Sequence, residues 1–92
     1  MNTHTKVSLS DIRAMILCEY PLSAEEYGHC YYDGDGTTKN LAEAFVWYRV
    51  AQCAGNHSVD CLVNYLSSCF TQSKCQKLSS RAKHIYIKAL QL

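Results

Sequence analysis

The sequence has few of the residues that make tight turns and no segment long enough to cross a membrane. It contains one proline, Pro21, and four glycines, which argues against a turn-rich β-sandwich. A transmembrane helix needs about 18 or more consecutive apolar residues, and no such run occurs. Residues 1–6 are polar and no apolar signal-peptide segment follows them, so we expect a cytoplasmic protein that contacts no membrane.

The remaining composition is that of a small globular protein. Of the 92 residues, 48% are hydrophobic, 11% are aromatic and 18% are charged, which excludes disordered and collagen-like chains. A chain of this length can bury one modest core. We therefore expect a single domain over residues 1–92.

Six cysteines could indicate a disulfide scaffold or a metal site, but their spacing favours neither. No C-x-x-C occurs, and structural zinc sites usually combine two close ligand pairs. The nearest approach to such a pair is His29 next to Cys30. We expect no metal and no cofactor, and reduced thiols that are mostly buried as small apolar residues: Cys18, Cys30, Cys53, Cys61, Cys69 and Cys75.

Charge is distributed unevenly along the chain. Residues 1–60 contain eight acidic and four basic residues, a net charge of −4. Residues 61–92 contain five basic residues and no acidic ones, a net charge of +5. A basic segment of this kind indicates either an anionic partner or a solvated helix face.

Helical periodicity extends over nearly the whole chain, and no segment alternates convincingly as a strand. Residues 8–11 have the spacing of a capping box, and Pro21 ends the helix that follows. Ser23 and Glu26 have the same spacing, which predicts a second helix to about Tyr32.

Three more helices are predicted, which gives an all-α fold of about five short helices. The third helix runs from Asn40, as its cap, to Gly55. Residues 71–76 are expected to form a polar connector before a basic last helix over 77–90. Between these, Ser58 is the expected cap of a fourth helix whose apolar side consists of Val59, Leu62, Val63, Leu66 and Phe70.

Small and aromatic residues recur between residues 24 and 55 in an order that resembles a Sel1-like repeat. In that family each repeat is a pair of antiparallel helices related to tetratricopeptide units, and its usual role is to bind other proteins. We also predict that Phe45, Trp47 and Tyr48 lie at a hairpin interface with Tyr27 and Tyr31. The matching residues are Tyr27, Gly28, Tyr31, Gly34, Gly36, Ala44, Trp47, Tyr48, Ala51 and Gly55.

The match covers about a third of the chain and departs from the family pattern in places. Asn40 stands where the family favours aspartate, and Tyr27 is the first residue of its leucine–glycine pair. Residues 63–64 stand where the next such pair would begin, and no second glycine turn follows. A solenoid needs about three repeats to bury its faces, so flanking helices must cap the hairpin or a partner must complete it.

No motif points to catalysis. Residues 33–37 begin like a calcium loop, but Thr38 and Ala44 stand where an EF-hand needs glycine and glutamate, so we expect a simple turn. Glycine-rich phosphate-binding motifs are absent, and no local signature places a base beside a serine or cysteine nucleophile. We expect a protein that is not an enzyme.

The last helix carries two neighbouring stripes. The apolar one consists of Leu78, Ala82, Ile85, Ala89 and Leu92. The other, named the basic stripe below, consists of Lys74, Lys77, Arg81, His84 and Lys88. Like charges on one helix face repel by a few tenths of a kcal/mol per pair, so we interpret the basic stripe as a contact for an acidic protein surface or a phosphate backbone. The alternative is internal pairing with the acidic residues of the first half of the chain, such as Glu25, Glu26 or Asp33.

These features predict a non-catalytic factor that docks stoichiometrically on a larger protein or ribonucleoprotein complex through the basic stripe. Its size and style resemble phage-encoded anti-CRISPR proteins that bind type I surveillance complexes in the host cytoplasm, where guide RNA would be within reach. The alternative is a Sel1-like adaptor that scaffolds a cellular protein complex. A small metal or redox protein that uses the cysteines is a third class.

Overall fold

Five α-helices contain most of the residues that the structure, a computed structural model, describes, namely residues 9–17 and 23–91. They are α1 Leu9–Ile16, α2 Ala24–Asp33, α3 Leu41–Cys53, α4 Asp60–Cys69 and α5 Gln72–Leu90. No strand occurs in these two stretches, so the predicted all-α class is confirmed. The capping box predicted at residues 8–11 and the stop at Pro21 lie outside the described residues.

The helices α2 and α3 begin at the predicted caps. The Ser23 hydroxyl accepts a hydrogen bond from the Glu26 amide at 3.2 Å, and the Glu26 carboxylate accepts one from the Ser23 amide at 2.9 Å. The Asn40 side chain accepts from the Glu43 amide at 3.1 Å. Each cap satisfies an N–H group that a helix leaves free, and contributes about 1 kcal/mol to stability.

A tight turn joins α2 to α3 and depends on glycine. Gly34 and Gly36 have φ angles of 75° and 76°, in the left-handed region that other residues adopt with strain. The Asp35 amide donates to the Cys30 carbonyl at 2.9 Å, and the Asn40 amide donates to the Tyr31 carbonyl at 2.9 Å. The chain therefore reverses within a few residues, and α3 packs back against α2.

The hairpin of α2 and α3 is held by a close contact between Gly28 and Tyr48. A Cβ atom at position 28 would lie 2.7 Å from Cε1 of Tyr48, a fully buried residue, so a larger side chain has no room. Beside this contact, the Tyr27 ring meets the Trp47 ring edge-on at 4.8 Å and the Tyr31 ring at 5.4 Å. These tyrosines and Trp47 therefore lie at the predicted interface.

Phe45 packs differently from the prediction. It is buried, but its ring pairs with Phe70, just after α4, at a centroid distance of 6.0 Å, rather than with a ring of α2. The reason is that the buried residues of α3 are distributed around the helix, so its aromatic residues face different neighbours. Phe45 joins the hairpin to the end of α4.

The central helix is α3, and the other helices are arranged around it. Both α4 and α5 pack against α3, and α5 also packs against α1. The predicted apolar side of α4 faces this core, since Val59, Val63 and Leu66 are buried while Leu62 and Phe70 pack at its edge. The buried residues of α3 are Ala44, Phe45, Val46, Trp47, Tyr48, Val50 and Ala51.

Two predicted helix starts are wrong. The N-cap of α4 is Val59, which makes no side-chain capping bond, and the Ser58 hydroxyl instead bonds the Glu25 carboxylate at 3.0 Å. The predicted connector at residues 71–76 is the first part of α5, because the Thr71 hydroxyl accepts from the Lys74 amide at 3.1 Å and caps the helix there. Polar residues after a good cap continue a helix without needing an apolar period.

Trp47→Ala should destabilise the protein by about 3–5 kcal/mol, because it removes a buried indole from the hairpin interface. Urea unfolding followed by circular dichroism measures this change. The matched control is Tyr65→Ala on α4, a tyrosine that is 54% exposed, which should change stability by no more than about 0.5 kcal/mol. Equal losses in the two variants would contradict the packing of the hairpin.

Candidate functional site

The basic stripe lies on the outside of α5 because the neighbouring apolar stripe is anchored in the core. Ala82 and Ala89 are fully buried, and Leu78 and Ile85 pack against the core at its edge. Leu92 lies outside the described residues. Successive residues of a helix point about 100° apart, so each stripe cation lies a quarter-turn from the helix face that packs on α3 and α1.

The five residues of the basic stripe are all exposed, but they differ in what they contact. Lys77, His84 and Lys88 form no ion pair within the described residues. Arg81 forms an ion pair with Glu43 at the start of α3, and the Lys74 ammonium lies 5.3 Å from the centroid of the Phe70 ring. Two lysines and the histidine of the stripe are therefore not engaged in ion pairs by the described part of the fold.

The alternative of internal pairing therefore applies to one residue of the stripe, Arg81, whose partner is an acidic residue of the first half but not one of the three named above. Arg81 pairs with Glu43 rather than with Glu25, Glu26 or Asp33. Arg81 is 51% exposed and Glu43 is 21% exposed, so water weakens this ion pair. No local pattern could have identified it, because the two residues come together only when α5 packs on α3.

At the start of α5, the stripe borders a shallow depression. Lys74 and Lys77 lie on its rim together with Thr71 and Ser73, and the half-buried Leu78 also lines it. Ammonium and hydroxyl groups around an apolar floor suit an acidic side chain with an aliphatic stem. The depression therefore adds a concave region to the row of side chains in the basic stripe.

A second polar cluster, which the sequence did not predict, lies at the end of the α2–α3 hairpin that is away from its glycine turn. His29 Nδ1 and the Tyr48 hydroxyl share a hydrogen bond of 2.6 Å, and His29 Nε2 lies 3.4 Å from the Glu25 carboxylate. Glu25 also accepts hydrogen bonds from Asn56 at 2.8 Å and Ser58 at 3.0 Å. The spacing of Glu25 and His29 by one helical turn was visible in the sequence, whereas the role of Tyr48 needed the fold.

Hydrogen bonding shapes the electrostatics of this cluster. The bond from Asn56 lowers the pKa of Glu25 below its ordinary value of 4.5, with partial opposition from burial and further lowering by Ser58 and His29. Burial raises the pKa of the Tyr48 hydroxyl well above its ordinary range. The phenol therefore stays neutral and the carboxylate stays charged at neutral pH, which is the state in which the cluster ties α2 to the loop before α4.

The expected cysteine burial is wrong. Among the described cysteines, Cys61 and Cys69 are exposed, while Cys30, Cys53 and Cys75 are half-buried, and all five are free thiols. Cys18 lies outside the described residues. The thiols lie on the outer faces of α2 and α4 and at helix ends, where packing on α3 leaves them partly open.

The described residues bring together no three His, Cys, Asp or Glu side chains that could hold a metal ion. His29 and Cys30 are not arranged as a pair of metal ligands, because the His29 ring is hydrogen-bonded to Tyr48 and lies beside Glu25.

In the described part of the chain, no helix is long and apolar enough to cross a membrane. Comparisons of the chain with family models, with curated proteins and with solved structures find no match.

Glu25→Gln should make stability less dependent on pH in the acidic range. Because folding lowers the pKa of Glu25, the carboxylate contributes its full stabilisation above pH 4.5 and loses it as the pH falls through the folded-state pKa. Urea unfolding of both proteins over a pH series should show the wild type more stable at pH 7 and the gap closing under acid. A gap that is constant over the whole series would contradict this role of the carboxylate.

Native alkylation with iodoacetamide should label Cys61 and Cys69 before Cys30. The first two thiols are exposed, whereas burial raises the pKa of Cys30, with added effects from Asp35, Glu26 and Asp33. Peptide mass spectrometry of timed samples, without prior reduction, measures the order. Equal labelling rates would contradict it, and thiols that resist labelling after denaturation would show a disulfide.

Proposed function

We propose that the protein is a non-catalytic binding factor that docks stoichiometrically on a larger complex through the basic stripe of α5. The observation that carries this proposal is the set of exposed side chains Lys77, His84 and Lys88, two lysines and a histidine, which form no ion pair within the described residues. They lie on a helix whose other side is anchored in the core and that contains no acidic residue. An anionic surface would offset the repulsion between them.

The energetics favour docking over a structural role for these residues. Exposed lysines add little to folding stability, so their placement on one line brings the fold no gain. In contact with a carboxylate or phosphate, each well-placed ammonium contributes about 1–3 kcal/mol as a charge-assisted hydrogen bond. A few such contacts, with the depression beside Lys74 and Lys77, are enough for specific attachment.

The nature of the complex is proposed from the hairpin and the charge together. In sequence, residues 24–55 resemble a Sel1-like repeat, a family whose usual role is protein binding. A small chain with one such hairpin and one cationic helix suits an anti-CRISPR inhibitor of a type I surveillance ribonucleoprotein. Acting in the host cytoplasm, it would cover a surface meant for nucleic acid, with guide RNA or acidic protein within reach of the stripe.

The alternative is a Sel1-like adaptor that scaffolds a cellular protein complex. What favours it is the apolar surface away from the stripe, where the Tyr65 side chain on α4 is 54% exposed. Near the ends of α5 and α1, Ile87, Leu90 and Leu17 are also at least 40% exposed. An adaptor would use such side chains to hold two proteins at once.

Affinity capture from lysate, with and without nuclease, separates the two proposals. Recovery of a Cas-type ribonucleoprotein supports the inhibitor, and recovery of a set of ordinary proteins supports the adaptor. The capture must be lost with the stripe variant described next, since material that also binds that variant is held by another surface.

Lys77→Glu/Lys88→Glu should weaken capture of the partner at least about tenfold and leave Tm unchanged, because both side chains are exposed. The matched control is Lys83→Glu, which changes an exposed cation outside the stripe and should bind normally. Arg81→Glu, by contrast, should lower Tm because it places a carboxylate against Glu43. Undiminished capture by the double variant at low salt would contradict the proposal.

A further inference from the structure

The outer face of α2 carries a charge pattern opposite to that of α5. Glu26, Asp33 and Asp35 are exposed and form no ion pair within the described ranges. Glu26 and Asp33 are two helical turns apart on the same side of α2, and Asp35 follows in the turn after the helix. They therefore form one surface, named the acidic face here, with Lys39 as the exposed cation in the same turn.

This face belongs to a helix at the edge of the molecule. The main packing partner of α2 is α3, with a small contact to α1, whereas α3 is covered by α2, α4 and α5. The buried side of α2 consists of Ala24, Tyr27 and Gly28, so Glu26 and Asp33 point away from α3. An edge helix with an exposed charged side leaves room for another helix to lie alongside.

The acidic face and the basic stripe match in spacing as well as in sign. Glu26 and Asp33 are seven residues apart, about 10.5 Å along the helix axis. Lys74 and Arg81 are also seven residues apart, and so are Arg81 and Lys88. Two helices packed side by side can therefore bring two opposite charges into register at once.

From this match we infer that the protein associates with a second copy of itself, head to tail, through the acidic face of one copy and the basic stripe of the next. The two surfaces lie on different helices, so the contact is heterologous, and each copy keeps one free surface after pairing. This inference goes beyond the proposed function but uses the same stripe. Self-association would therefore compete with capture of the larger partner.

Sedimentation velocity over a range of protein concentrations tests the inference. The wild type should associate at low salt and dissociate as salt is added. Raising the ionic strength from about 0.02 M to about 0.5 M shortens the screening length from roughly 20 Å to roughly 4 Å and should lower the association constant at least about tenfold. A wild type that is monomeric at every concentration in low salt would overturn the inference.

Charge-swapped variants test which surfaces meet. Asp33→Lys/Asp35→Lys reverses the acidic face while leaving Glu26 to cap α2, and Lys77→Glu/Lys88→Glu reverses the stripe. Each variant alone should be monomeric, and an equimolar mixture should associate, because opposite charges face each other again. Lys83→Glu should associate like the wild type. Association of either double variant alone, or no association in the mixture, would overturn the head-to-tail contact.

The same variants keep this inference separate from the proposed function. Asp33→Lys/Asp35→Lys retains the basic stripe, so it should still capture the larger partner while failing to self-associate. Failure of self-association in the wild type together with normal capture would remove the inference and leave the proposed function standing. Self-association of the wild type without any stripe-dependent capture would remove the proposed function and leave the inference standing.

Discussion

The distance between α2 and α3 is set by one contact, the Tyr48 ring against the backbone of Gly28, and the rest of the structure depends on it. The ring occupies the space that any side chain at position 28 would fill. Its hydroxyl reaches His29, and His29 lies beside Glu25, which holds the loop before α4 through Asn56 and Ser58. The close approach of α2 and α3 therefore also helps to fix the loop before α4 and, with it, the position of α4.

The position of α5 follows from that of α3. Because buried residues lie on several sides of α3, α5 can pack against it as well as α2, and the ion pair between Arg81 and Glu43 forms across the α3–α5 junction. Ala82 and Ala89 form the buried face of α5. Once this face is fixed, helix geometry directs the neighbouring cations to solvent. The exposed charge of the basic stripe is thus a consequence of core packing.

The parts of the fold that local rules decide were predictable from the sequence. Ser23, Asn40 and the glycine turn were recognised because a cap or a positive φ angle needs particular residue types. The start of α5 was missed because an apolar period was expected where Thr71 alone suffices as a cap. Ser58 was assigned to the wrong role because its hydroxyl bonds Asn56 at 2.7 Å and Glu25, which comes from another helix, at 3.0 Å.

The same distinction applies to the candidate site. The residues of the basic stripe could be identified from their spacing alone, since a helix places every third or fourth residue on one side. The spacing could not show which of these residues form internal ion pairs, because Glu43 is 38 residues from Arg81 in sequence and meets it only through tertiary packing. The cysteines show the same limit, since residue type favours burial but the outer faces of α2 and α4 leave their thiols partly open.

The central claim is that α5 holds the fold with one stripe and leaves the other free for a partner. The most direct test is the free energy of unfolding of Lys77→Gln/His84→Gln/Lys88→Gln, measured in urea at low and high salt. We expect a stability equal to that of the wild type or a few tenths of a kcal/mol higher at low salt, because the substitutions remove two lysine charges that repel the neighbouring cations of the stripe. A loss of about 1 kcal/mol or more would contradict it, since that size of effect would mean that these cations stabilise the fold themselves.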